Sequence, residues 1–238
     1  MLGRPLLLAV LCLLGSFGPA LAQSQSCPTK GRQTPKVVLS IEPGQAVYRN
    51  DLMQADLGDL HNKQRRTSYS KQREPVTAGL TRAEGGYQTS VQTMIYPLKR
   101  GVYYCGWLSQ IEVRVFFKSM VVNVAGEYRP GSCEYTAVLD HENHHVAIFR
   151  RNMDLYARKI QSTLNEAVAR YGSASGNSEQ AVTKQFMAEA SRVIKPLMEE
   201  MHAQAERDHA KLDSPESYRY TQSLCKGWKP AKERRGTG

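Results

Sequence analysis

Beyond its first 22 residues the sequence has no apolar run long enough to cross a membrane. It has no C-x-x-C pair, no internal repeat, and no aromatic-and-basic signature of an RNA-binding module. The first absence excludes a transmembrane segment downstream of the N-terminus. The second argues against a zinc-thiolate site. The others leave one domain with no specific nucleic-acid partner. Acidic residues are also scarce, 22 against 32 lysines and arginines, for a formal charge of +10 over 238 residues. Such a balance suits anionic surroundings, such as cell-envelope polymers. Much of the charge lies in two polar stretches, 61–74 and 226–238, which read as solvated.

What the sequence does have begins with a secretory signal peptide over residues 1–22. Arg4 supplies the charge, Leu6 to Leu14 a short apolar run, and Ala20-Leu21-Ala22 the cleavage site. Cys12, inside that run, lacks the context of a lipid-attachment site. Removal of residues 1–22 takes away one charge, Arg4, and leaves +9. The mature chain is then expected in the periplasm or outside the cell, as one domain over 23–225 with a basic, disordered tail at 226–238. Its four cysteines, Cys27, Cys105, Cys133 and Cys225, suggest two disulfides in an oxidising compartment. The pairing favoured by chain order is Cys105–Cys133 with Cys27–Cys225.

Strand patterns occur at 36–42, 89–98, 102–108, 111–117 and 120–128, and a short helix fits within 47–61. In "IEVRVFF", Ile111, Val113, Val115 and Phe117 share one face, the mark of a half-buried strand. Short connections between these segments predict an antiparallel sheet. After Arg129-Pro130-Gly131, Ser132 suits a helix N-cap, and neither proline nor glycine follows until Gly172. One long helix is expected there. A turn at 172–178 leads to a second helix with Val182, Phe186, Val193, Leu197 and Met201 on its apolar stripe, kinked or restarted at Pro196. The fold class is α+β: a small antiparallel sheet packed on a long helix and a C-terminal helical hairpin.

The chemistry lies in "LDHENHH", residues 139–145. His141, Glu142 and His145 satisfy H-E-x-x-H. Positions four apart on a helix share a face, so both imidazoles can reach one ion, while Glu142 is rotated about a quarter turn to its side. Zn2+ is the expected cofactor, with His141 and His145 as ligands. Glu142 is then the general base that takes a proton from a metal-activated water. His144 is an alternative ligand, placed at the edge of such a site.

A third ligand is needed. The extended pattern H-E-x-x-H-x-x-G-x-x-H fails at Ile148 and Arg151. Glu166 is excluded because 21 residues of unbroken helix put it about 31 Å from His145. A hairpin turning at residue 175 sets residue n opposite 350 − n, which places His209 opposite His141. His209 is therefore the expected third metal ligand, with Asp208 and Asp213 as substitutes and a register open by about one turn. Asp213 also has a different possible role, holding the second nitrogen of the His209 ring.

"HENHH" on a long helix, after a β-block containing "CGWLSQIEVRVFF", resembles the predicted secreted zinc-dependent proteases of the zincin type, a group first catalogued as a domain of unknown function. The resemblance spans about residues 90–220 and carries over His141, Glu142 and His145 as ligand, base and ligand. The downstream "DHAKLDSPESY" matches the group's acidic/histidine motif only loosely, which leaves the third ligand open. The resemblance implies a zincin-like fold and a zinc-dependent metallopeptidase acting on a peptide or protein substrate. In such folds a sheet edge holds the substrate extended beside the motif helix, a role open here to 111–117 or 120–126, and Tyr218 or Tyr220 is placed to donate to an oxyanion. The rival expectation is a non-catalytic, envelope-associated binding protein built on a zinc-stabilised or metal-free helical hairpin.

Overall fold

The computed structural model describes residues 27–28, 34–65, 77–99 and 102–228. The signal segment at 1–22, most of the basic stretch at 61–74 and residues 229–238 of the tail lie outside the described residues. In chain order the elements are β1 (Lys36–Glu42), β2 (Ala46–Arg49), α1 (Gln54–Arg65), β3 (Gly79–Lys99), β4 (Tyr103–Val124), α2 (Cys133–Arg170), β5 (Ala174–Gly176), α3 (Glu179–Leu212) and α4 (Pro215–Ser223). The class is mixed α+β, with one small sheet and four helices among the described residues. No helix among the described residues is long and apolar enough to cross a membrane.

β4 is the axis of the sheet. β3 runs antiparallel to it from Gly79 opposite Val124 to Lys99 opposite Tyr103, filling one edge. A strand has two hydrogen-bonding edges, so β5, β1 and β2 succeed one another along the second. They pair with 104–106, 110–116 and 120–123 respectively. The sheet departs from the expected all-antiparallel one, because β1 and β2 are parallel to β4. It also departs in strand count: the segments expected at 102–108, 111–117 and 120–128 fall in one strand, Tyr103–Val124, rather than three.

Bulges explain that miscount. Ser109 and Lys118 each fall between consecutive pairs of the β3–β4 ladder and are the extra residues. Each reverses the inward phase, so Leu108 gives way to Ile111, Val113, Val115 and Phe117, and these to Met120, Val122 and Val124, all buried. In the sequence such a phase change resembles a turn. Both edges of β4 being paired, neither 111–117 nor 120–124 is free to take an added substrate strand, which corrects that expectation.

The inward face of β4 packs on α2 and α3 through Val113, Val115, Met153, Ile160, Leu164, Val182 and Ile194. A smaller cluster of Leu57, Leu80, Val124, Tyr128 and Val138 ties α1 to the first turns of α2. Ser132 caps α2 as expected, its hydroxyl accepting the Tyr135 amide at 3.1 Å. α3 runs through Pro196 without restarting. The 172–178 connection is not a free turn: three of its residues form β5 and pair with β4.

Among the described residues two disulfides are present, but as Cys27–Cys105 and Cys133–Cys225. The expected Cys105–Cys133 link fails on distance. Cys105 lies 19 residues before the end of β4, up to about 60 Å along an extended strand from the turn that leads into α2. Cys27 instead pins the N-terminal segment to the start of β4, and Cys225 pins the end of α4 to the first residue of α2.

Candidate metal centre

The centre forms where the third and fourth turns of α2 meet the last turn of α3. His141, Glu142 and His145 sit on the buried face of α2, each less than 9 % exposed. Asp213 is the C-cap of α3, its amide donating to the His209 carbonyl at 2.8 Å. His209 and Asp213 are therefore one helical turn apart, as His141 and His145 are. The facing turns put His145 opposite His209 and His141 opposite Asp213, so paired numbers sum to 354 rather than 350. The expected register is off by one turn, and that turn brings Asp213 into the place considered for His209.

His141 Nε2 lies 3.2 Å and His145 Nε2 3.0 Å from the same oxygen, Asp213 Oδ1. Tyr218 of α4 donates its hydroxyl to that oxygen at 2.9 Å, with its ring 5.3 Å from the His141 ring. His141, His145 and Asp213 form a group that can bind a metal ion, their ligand atoms all within 4.8 Å of one another. Neighbouring donors of a tetrahedral zinc site with ~2.0–2.1 Å bonds are about 3.3 Å apart, so both nitrogen–oxygen separations are close to a ready coordination edge. Two imidazoles and a carboxylate are also a donor set that zinc accepts.

His209 does not join that group. Its Nδ1 lies 2.8 Å from His145 Nδ1, on the side of the ring turned away from Asp213, and its ring packs on Phe149 at 4.4 Å. Asp208 is engaged elsewhere, accepting from Arg151 and Asn152 at 3.2 Å and from Gln204 at 3.0 Å. His144 is exposed, as is Tyr220.

Glu142 is held from β3. Thr81 Oγ1 donates to Glu142 Oε2 at 2.7 Å. Gly79 leaves the space the carboxylate occupies: a Cβ built there would lie 2.5 Å from Glu142 Oε1. Sequence reasoning missed both residues, because Thr77–Gln88 has no apolar alternation and read as loop. Only the lone glycine before "LTR" hints at a close approach.

Electrostatics follow from this crowding. Burial pushes the Glu142 carboxyl up, against the pull of His145, the Thr81 hydroxyl and His141. Burial also works to raise Asp213, but hydrogen bonds from His141 and His145, the charge of His145 and the Tyr218 hydroxyl together hold it well below the usual carboxylate range. For His145 burial opposes the charged form, yet the Asp213 hydrogen bond and the Glu142 charge raise it overall. Burial, then the neighbouring His145, lower His209 to about 4.

Compared with protein-family models, curated proteins and solved structures, the chain matches none. The chemistry of the centre therefore rests on its own residues. It combines two converging imidazoles, a carboxylate that stays ionised, and a second, buried carboxyl whose proton affinity is raised.

Proposed function

We propose that the protein is an exported zinc-dependent metallopeptidase, hydrolysing peptide or related amide bonds. The observation that carries this is the convergence of His141 Nε2 and His145 Nε2 on Asp213 Oδ1, with the buried Glu142 carboxyl on the adjacent helical position. His141, His145 and Asp213 are the proposed ligands. Zinc, when bound, polarises a substrate carbonyl and acidifies water. Glu142 accepts the proton from the attacking water and delivers it to the leaving amine, and burial, which raises its proton affinity, makes it a better base for the first transfer. Thr81 orients the carboxylate through Oε2, leaving Oε1 for the proton. Tyr218 donates its hydroxyl to Asp213 Oδ1 and so helps to hold that ligand in position.

The resemblance to zincin-type secreted proteases supports this reading through the ligand-base-ligand motif. Among the described residues β2 pairs only with β4, and Tyr48 at its end donates to Asn143 of α2 at 2.9 Å. That edge, rather than β4, suits an extended peptide. Two disulfides and the basic charge fit an oxidising, anionic exterior such as the cell envelope. The test is hydrolysis of a quenched-fluorescent peptide library by the zinc-loaded protein and by Glu142→Gln. The expected result is a loss of about 10²- to 10⁴-fold in rate with zinc content and fold intact. Equal rates in both proteins would remove the proposed mechanism.

A further inference from the structure

The His209 ring is an oddity of this centre. It is part-buried at the last turn of α3, it packs at a tilt against the Phe149 ring with centroids 4.4 Å apart, and its Nε2 is a buried polar atom with no hydrogen-bond partner. Its Nδ1 is spent on one contact, His145 Nδ1 at 2.8 Å. A neutral imidazole carries one proton, and a nitrogen that binds a metal must be bare. If His145 offers Nε2 to the ion alongside Asp213 Oδ1, its proton has to sit on Nδ1. A buried N–H needs an acceptor, and at 2.8 Å that acceptor is His209 Nδ1. The choice then propagates. With Nδ1 bare, His209 carries its own proton on Nε2, the atom left without a partner.

We infer that His209 is a positioning residue: it accepts the His145 Nδ1 proton and thereby locks His145 in the tautomer and ring orientation that present Nε2 to zinc. This rests on the proposed metal site and assigns His209 a role other than ligand. Partners of this kind usually are carboxylates, carbonyls or water, and their loss costs about 10- to 100-fold in metal affinity. A neutral imidazole does the same work here without adding a second negative charge beside Asp213.

The test is zinc affinity, measured by competition with a chromophoric chelator, together with the visible spectrum of the cobalt-substituted protein. His209→Phe keeps a ring against Phe149 but removes the acceptor. His209→Asn places an amide oxygen near the position of Nδ1. Expected are a 10- to 100-fold weaker zinc affinity for His209→Phe, recovery of most of that loss in His209→Asn, and an unchanged cobalt spectrum in both. His209→Leu carries the same expectation as His209→Phe if the latter does not fold. Wild-type affinity in His209→Phe or His209→Leu overturns the inference while leaving the metal site standing. So does His209→Asn binding as weakly as His209→Phe, or a cobalt spectrum that loses a ligand on substitution. If the unaltered protein binds no zinc, the metal site itself falls and this role with it.

Discussion

Gly79→Ala tests whether the first residues of β3 exist to seat Glu142. The added Cβ would lie 2.5 Å from Glu142 Oε1, 2.8 Å from Glu142 Cγ and 2.7 Å from Val138 Cγ1. Ordinary carbon contacts are about 3.5–4.0 Å, so roughly 1 Å must be recovered. Val138 is buried among Leu57, Leu80 and Tyr128 and has little room to yield. The carboxylate is the softer neighbour, and turning it away breaks the 2.7 Å bond from Thr81. Overpacking of this kind costs about 1–3 kcal/mol. Replacing glycine returns roughly 0.4–1 kcal/mol through the unfolded chain, leaving a net loss of about 1–2 kcal/mol. A catalytic group displaced by about 1 Å loses on the order of 10²-fold in rate. Zinc content should hold, because Glu142 is not among the converging ligand atoms. Gly86→Ala is the control: the nearest atom to its Cβ is Phe116 Cζ at 4.0 Å, so stability should change by less than about 0.5 kcal/mol. Urea denaturation, zinc analysis and peptide hydrolysis read the three quantities. If Gly79→Ala is as stable and as active as Gly86→Ala, Glu142 is not confined as argued.

Two further outcomes follow from the geometry. Opening Cys133–Cys225, by changing both residues to serine, releases a link spanning 92 residues; chain entropy sets the loss at up to about 4.5 kcal/mol. Because α4 buries no residue of its own, amide exchange in 215–223 should accelerate ahead of α2, and uniform protection would contradict this. In metal-free protein, His209 has a folded pKa lowered to about 4, so between pH 6.5 and 4 the unfolded chain takes up the proton and the folded chain does not. Stability attributable to His209 is therefore lost as pH falls through that window. The full shift is worth about 3 kcal/mol, and partial exposure reduces this to roughly 1–2 kcal/mol. The raised His145 contributes the opposite slope, at pH above about 6.5, so the measurement is the difference between wild type and His209→Asn within the lower window; a parallel pH dependence of the two refutes it.

Much of the helical half was legible from the sequence. Ser132 and the absence of breakers up to Gly172 announce α2, and the spacing of His141 and His145 puts them on its buried face. The hairpin geometry came within one turn of the true register. One turn is the difference between His209 and Asp213 as the partner of His141, and composition cannot resolve it, since both residues lie on the same face of α3. The sheet was less legible for a local reason. The bulges at Ser109 and Lys118 interrupt the period-two pattern without ending the strand, so β4 looked like three pieces and Cys105 looked near Cys133. The parallel pairing of β1 and β2 has no local signature at all. Gly79 and Thr81 escaped because their importance lies wholly in what packs against them.

The most direct measurement is zinc per chain by elemental analysis, after zinc loading and dialysis against metal-free buffer, for wild type, Asp213→Ala and Asp208→Ala. A ligand set of His141, His145 and Asp213 predicts about one zinc in the wild type and in Asp208→Ala, where the lost carboxylate is one held by Arg151, Asn152 and Gln204, and little or none in Asp213→Ala. A wild type without zinc, or an Asp213→Ala protein that keeps its full complement, contradicts it.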